Sequence, residues 1–536
     1  MAEAKKPTLL DALKSWRTGS VSLLSFASGL PLGLVWIAIP DWLRSTGADI
    51  RVVGLVSLVQ IPWALKIFWS PLMDRYSPPF WGRRRGWIGI AQLALFALTL
   101  ALAGVGSRPD APWVILALAL AIAVASATQD IAYDAYAVEV LHPEEQGVAV
   151  GARQAIYRAA MSVAGGISIT LAGMVSWPVV NIFLALLYLP MLAVTWHAPE
   201  PDEQTLVPKT LRQAVWHPFV EFCARRRALA ILGFLVFYKL ADNLATSLIR
   251  PFLIDMGYNN WDRGIGLVTV GLSATLFGGF VGGLASVQFG LGHALWIFGV
   301  LQTLANLGYV FVARSAEVDR WLMFGAVGLE NLAIGLGTGA FGVLLLRLAR
   351  KRYAATQYAF FTVLFALPRI LSGPITGYVV NLFGCEPTRC YPASWEKFFW
   401  LTIPAGIPGL LLLARFSPIG TREPTILAEE ETKRSAPVTW GGLLGRGFLG
   451  GAAGFGVALL VSVLVAGWNG RSGAAMPFSE SLSLVFSPAD LSAWIRILAM
   501  AAFSVGCGLL TAAVYAARHG AAKGLRDPSV PPDAQR

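Results

Sequence analysis

Residues 126–140 read SATQDIAYDAYAVEV and place Asp130 and Asp134 inside an apolar stretch that begins near Ala111 and is long enough to cross a bilayer. A carboxylate near the middle of a bilayer costs at least ~2.5 kcal/mol even on lenient insertion scales, so it persists only beside a cation, against water or in a binding site. Four residues apart on a helix, the two aspartates share one face and lie roughly 6 Å apart along its axis. Function is to be sought on that face.

Hydrophobic residues make up 56% of the 536 and charged residues only 14%, with a mean hydropathy of +0.61. An ordinary soluble domain carries about 25% charged residues, so the chain reads as a polytopic membrane protein. Apolar stretches of roughly 20 residues recur along almost its whole length. Fourteen are expected, the second near residues 51–73. The runs are continuous and lack the in/out alternation, over about ten residues, of a transmembrane barrel. The first apolar run is too long and too broken by Pro and Gly for a cleavable signal, so the first span is expected to stay attached.

Orientation follows from the basic residues. With the N-terminus inside, 26 of the 42 Lys and Arg fall in cytoplasmic segments and nine on the opposite side. That bias predicts cytoplasmic N- and C-termini. The net charge of +11 then reflects topology and anionic lipid headgroups, and no nucleic-acid partner is expected.

The expected fold class is all-α: two six-helix bundles plus two extra C-terminal transmembrane helices. The boundaries are 1–195 for the first bundle, 196–228 for an amphipathic cytoplasmic linker and 229–415 for the second bundle. A second cytoplasmic linker at 416–440, the extra helices at 441–516 and a cytoplasmic tail at 517–536 complete the chain. Two six-span bundles are the plan of major facilitator transporters, which bind solute between the halves.

The loop SPLMDRYSPPFWGRRRG, Ser70 to Gly86, resembles the major facilitator signature between spans 2 and 3. Asp74 is placed to cap a neighbouring helix or to pair with an arginine, and with Arg75, Arg83 and Arg84 it forms a candidate cytoplasmic gate. Ser70, where glycine is usual, and the Ser-Pro-Pro-Phe insertion depart from the general pattern.

Six segments in register resemble one branch of that superfamily: FASGLPLGL (Phe26 to Leu34), KIFWSPLMDRYSPPFWGRRRGW (Lys66 to Trp87), SATQDIAYDAY (Ser126 to Tyr136), FYKLADN (Phe237 to Asn243), ENLAIGLGTGAF (Glu330 to Phe341) and AATQYAFFTVLFALPRILSGPITGY (Ala354 to Tyr378). The chain is identified on them as similar to the AmpG muropeptide permease family. The two extra C-terminal spans match that family's layout as well. The resemblance implies proton-driven import of N-acetylglucosaminyl-1,6-anhydro-N-acetylmuramyl sugars and peptides across the bacterial inner membrane. It further implies a role in peptidoglycan recycling and a link to β-lactamase induction and β-lactam resistance.

The residues can also be read for themselves. Spans 4 and 5 form a hairpin turning near Glu144, so matching depth suggests the pairs Asp130 with Arg158 and Asp134 with Arg153. Such pairs either only lock the hairpin or act as a switch in which a protonated aspartate frees its arginine for an anionic solute. Asp130, Asp134 and Arg158 are therefore the proton-coupling candidates. Gln129, Arg158, Lys239, Asp242, Glu330, Asn331, Gln357 and Arg369 are the candidate solute contacts, since an arginine fork suits a carboxylate. Lys66 completes the buried polar set. Trp36, Trp63, Tyr133 and Tyr136 are aromatic enough to stack on sugars or simply to fill the core.

No Walker sequence occurs, and neither the histidines nor the cysteines are spaced for a metal, so no cofactor and no metal are expected. The expected partners are the muropeptide, protons and membrane lipids, and the carrier is expected to be monomeric. Two rival functions remain: carriage of another amphiphilic anionic solute, such as a sugar conjugate or acyl-CoA, and an intramembrane enzyme acting on lipid-linked sugars. Cys385 and Cys390 fall in an outer loop, where an oxidising periplasm would allow a disulfide between them.

Overall fold

The computed structural model describes residues 15–45, 59, 61–105, 112–200, 211–223, 225, 227–315, 317–384, 390–425, 440–468, 482–483 and 491–518. Helices are the only extended regular structure among them. The chain divides into two compact units, one of Met1–Ala214 with Leu229–Ala428, the other of Val215–Ala228 with Glu429–Arg536.

In the first unit, the N-terminal half comprises α1 (Trp16–Gly33), α2 (Ser70–Arg75), α3 (Arg83–Val105), α4 (Pro112–Val140), α5 (Gln146–Ser162), α6 (Trp177–Leu186) and α7 (Tyr188–His197). The C-terminal half comprises α8 (Ala228–Phe237), α9 (Leu240–Ser247), α10 (Ile249–Asp255), α11 (Gly271–Gln288), α12 (Leu291–Ala305), α13 (Leu307–Arg314), α14 (Arg320–Leu348), α15 (Ala354–Leu382) and α16 (Pro392–Phe416). The second unit holds α17 (Trp440–Trp468) and α18 (Leu491–Arg518), packed on each other.

Eleven of the described helical stretches are long and apolar enough to cross a membrane. The longest of them, Gln146–Met174 and Arg320–Leu348, run to 29 residues, a length α15 shares. Residues 51–58 and 60 of the second expected span lie outside the described set, and α15 and α18, on the eleventh and fourteenth expected spans, are not among the eleven, so the expected count of fourteen is not reproduced in full. At 1.5 Å per residue, 29 residues reach about 43 Å, beyond the ~30 Å hydrocarbon thickness. Such helices project past the hydrocarbon core.

Three spans leave regular α geometry within their length: π turns occupy Leu34–Ala38, Val163–Ile167 and Ile265–Val270. The span Ala228–Asp255 is broken at Tyr238–Lys239 and again at Leu248. Breaks of this kind recur where membrane helices carry sites. In the C-terminal half the two glycine strings meet each other. A Cβ on Gly278 would strike the Leu332 carbonyl and one on Gly335 the Thr275 carbonyl, so only glycine permits this separation of α11 and α14.

Candidate functional site

The α4 face that carries the two aspartates is met by charge from two directions. Arg153 on α5 donates from Nη2 to Asp134 Oδ1 at 2.8 Å, and Lys66 Nζ lies 3.6 Å from Asp134 Oδ2. Asp130 hydrogen-bonds Ser28 of α1 and interacts electrostatically with Lys66, Asp134 and Arg153. Gln129 donates to the same Ser28 hydroxyl at 3.3 Å. Ser28 thus joins two α4 side chains that point about 100° apart, because α1 packs into the groove between them. Arg153 also stacks over Tyr133 at 5.0 Å and hydrogen-bonds Tyr358 of the C-terminal half.

Two expectations are corrected here. Asp130 has Lys66 and Arg153 as its cationic neighbours, in place of the expected Arg158. Matching depth ignored azimuth: Arg158 is five residues beyond Arg153, roughly 140° further around α5, so only one of them can face α4. Gln129 is 1% exposed and bound within its own half, so it does not reach a cavity between the halves.

Arg158 instead faces the other half. It is exposed, as is Arg369 of α15, and the two guanidinium charges interact across the halves with Tyr157 alongside. The Arg369 guanidinium lies over the Trp36 ring at 5.5 Å, and Trp36 meets Trp63 edge to face at 6.0 Å. Among the described residues, neither arginine has an ion-pair partner. Two like charges held together unpaired suit an anionic ligand.

At one end the halves are locked. Asp74 is fully buried; its Oδ1 accepts from Arg84 at 2.7 Å and from the Ala355 N–H at 3.2 Å. Its Oδ2 accepts from the Thr356 N–H at 2.9 Å and hydroxyl at 2.7 Å. The carboxylate of one half therefore caps the N-terminus of a helix in the other, where the dipole favours an anion. Arg83 and Arg84 both bond Glu139, at 2.8 and 2.6 Å. Arg75 turns away, its guanidinium 5.4 Å from the Tyr76 ring, so it is not part of this lock. At the same end Arg347 donates to Gln146 of the other half at 3.2 Å, and a Cβ on Gly147 would strike the Gly283 carbonyl.

The remaining candidates form a separate cluster inside the C-terminal half. Lys239 bonds Asp242 at 3.0 Å, the Ile334 carbonyl at 3.2 Å and the Gln302 side-chain oxygen. Glu330 accepts from the Tyr309 hydroxyl, and Asn331 accepts from Thr275 at 3.0 Å. Gln357 is buried and accepts from the Arg350 N–H at 2.8 Å, fixing the α14 to α15 turn, so it is not a solute contact. The expected single cavity is thus three groups: the α4 face, the arginine pair and this cluster.

Ser28, Glu139, Gln302, Tyr309 and Thr356 were not singled out from sequence. Glu139 was visible as the third carboxylate of the opening stretch; the others are ordinary polar residues whose partners lie far along the chain. No group of three His, Cys, Asp or Glu residues among the described residues is arranged to hold a metal. Cys390 is disulfide-bonded, Cys385 lies outside the described residues, and Cys223 and Cys507 are free.

Sequence comparison matches residues 21–373 to the Major Facilitator Superfamily. The anhydromuropeptide permease of Escherichia coli K12 is 38% identical over 399 residues, covering 74% of this chain and 79% of the relative. An uncharacterised protein of Haemophilus influenzae is 35% identical over 407 residues, covering 74% and 93%. Among solved structures, the proton:xylose symporter XylE bound to 6-bromo-6-deoxy-D-glucose superposes with a TM-score of 0.58 at 12% identity, over 76% of this chain and 98% of that one. A bacterial homologue of the iron transporter ferroportin in its outward-facing state gives 0.55 at 12% identity, over 74% and 98%. At such identities the structural likeness speaks to fold alone.

Proposed function

Since the chain belongs to the major facilitator superfamily and, within it, to the AmpG muropeptide permease family, we propose that it imports anhydromuropeptides from periplasm to cytoplasm by proton symport. The observation that carries this reading is the meeting of Arg158 and Arg369, one from each half, with Trp36 beside them. A muropeptide offers carboxylates to the guanidinium forks and sugar faces to the indole; the N-terminal half supplies Trp36 and Arg158, and the C-terminal half supplies Arg369.

Coupling is assigned to the α4 face. Asp134 is neutralised by Arg153 and Lys66, whereas Asp130 has only a hydroxyl and shared cations, which leaves it the better proton carrier. The Asp74 end is the cytoplasmic end in this reading, so the lock at Asp74, Gly147 and Arg347 describes a carrier shut toward the cytoplasm. The positive-inside bias supports the same orientation, with both termini cytoplasmic in the inner membrane. The carrier works as a monomer, since its solute site is complete within one chain. By the family's role it serves peptidoglycan recycling and hence β-lactamase induction.

The test is uptake of labelled GlcNAc-1,6-anhydroMurNAc-peptide into proteoliposomes, with and without an imposed pH gradient. Accumulation above equilibrium only with the gradient is expected. Absence of any uptake, with a folded and correctly inserted protein, overturns the substrate; equal uptake without the gradient overturns the coupling.

A further inference from the structure

The buried cluster in the C-terminal half holds a carboxyl group that solute binding does not explain. Glu330 on α14 is 1% exposed; its Oε2 accepts from the Tyr309 hydroxyl of α13, and its Oε1 is buried with no hydrogen-bond partner. The titratable groups that face it are Tyr309 from α13 and Asp242 from α9; the Asp242 carboxylate is paired in turn with Lys239 at the head of α9, which also holds Gln302 of α12. The Lys239 ammonium has three donors, and all three are occupied by Asp242, Gln302 and the Ile334 carbonyl. No cation is left for Glu330 among the described residues. An ionised carboxylate with one bare oxygen and no counter-charge is strongly disfavoured in such a place; the neutral acid is not.

We propose that Glu330 is a second proton carrier, held in the C-terminal half apart from the Asp130 and Asp134 face, and that its proton decides where Lys239 bonds. This rests on the proton-symport reading above and adds a site to it. Ile334 is four residues beyond Glu330, on the same face of α14, so Lys239 already touches that face one turn away. When the Glu330 carboxyl group loses its proton to water on the open side, the carboxylate left behind becomes the strongest acceptor within reach. Lys239 then leaves Gln302 and Ile334 for it. Lys239 stands at the break between α8 and α9, so its movement changes the angle at which the two segments meet. Reprotonation from the other side reverses the exchange, and one proton crosses per cycle.

The experiment uses the full chain in nanodiscs and reads the infrared carbonyl band of protonated carboxyl groups in H2O and D2O, with no solute present. Glu330→Gln is expected to remove one such band at neutral pH, Glu330→Asp to restore it, and Asp130→Asn to leave it in place. Tyr309→Phe, which takes away one bond to the acid, is expected to shift that band. In proteoliposomes, Glu330→Gln is expected to lower the number of protons per solute, read as a reversal potential, while solute counterflow continues. An acid band unchanged in Glu330→Gln or unshifted in Tyr309→Phe overturns the proposal, as does an unchanged proton-to-solute ratio. The infrared result needs no substrate, so it stands if the muropeptide assignment fails, and uptake of muropeptide by a protein lacking the band overturns the second carrier alone.

Discussion

Asp74 and Thr356 lie 282 residues apart in the chain, yet the aspartate accepts both the backbone N–H and the hydroxyl of the threonine. This joins the signature loop of the first half to the first turn of α15 in the second. Hydrogen bonds to a charged group contribute about 1.5–3 kcal/mol each, so losing the carboxylate favours opening of this end by at least about tenfold. Asp74→Ala is expected to lengthen the distance between spin labels at Glu144 and Pro418, exposed positions on the two halves at that end. It is also expected to slow net transport. A distance distribution equal to that of the unaltered chain refutes the lock.

The two aspartates of α4 are expected to fail in different ways. Asp130→Asn should abolish gradient-driven accumulation while sparing downhill exchange, because Asp134 keeps its bonds to Arg153 and Lys66. Asp134→Asn strands the buried Lys66 and the half-buried Arg153, and removing one partner of a buried pair costs ~3–5 kcal/mol. A marked loss of thermal stability in detergent is therefore expected for Asp134→Asn and not for Asp130→Asn. Full accumulation by Asp130→Asn in energised vesicles sinks its assignment as carrier.

At the arginine pair, geometry matters beyond charge. Arg158→Gln and Arg369→Gln are each expected to raise KM for an anionic muropeptide about tenfold or more, with the maximal rate less affected. Arg369→Lys should not restore affinity, since an ammonium offers neither the fork nor the same stacking on Trp36. A neutral analogue whose lactyl and peptide carboxylates are amidated should be affected much less by these changes. Equal loss for charged and neutral solutes would remove the anion-site role.

How much of this was legible beforehand depended on how local each relationship is. The cap by Asp74 belongs to a short loop whose residues have few other uses, and sequence pointed to it. The number of apolar spans and the long central interruption pointed to two bundles. Depth along a hairpin was also readable, which is why Asp134 and Arg153 do meet at 2.8 Å. Azimuth was not, and so Arg158 was given to Asp130 when it faces Arg369. The bonds from Lys239 to Gln302 and from Tyr309 to Glu330 join residues 63 and 21 apart on different helices. Nothing in a helical pattern announces which neutral polar group will stand opposite a buried charge.

The close crossing of α5 and α11 supplies a steric counterpart to the Asp74 lock. Gly147 and Gly283 each leave no room for a Cβ against the other's carbonyl. Gly147→Val is expected to hold this end open without removing any polar group. Its spin-label distances should resemble those of Asp74→Ala, and an unaltered distribution would show that the crossing is not tight in the membrane.

The cysteines test orientation. Cys390 is disulfide-bonded, and Cys385, the candidate partner, is five residues away in the same loop. On the proposed topology this loop faces the periplasm, where a disulfide persists. Cys223 is buried, and burial pushes its thiol up to about 12, so little thiolate is present at neutral pH and it reacts slowly. With Cys507 replaced by alanine, nearly all labelling of intact cells by an impermeant thiol reagent then reports on the loop. Labelling after reduction and none before is expected. No labelling after reduction places the loop inside and reverses the orientation, taking the cytoplasmic assignment of Asp74 with it. Equal labelling without reduction removes the disulfide and leaves the topology standing.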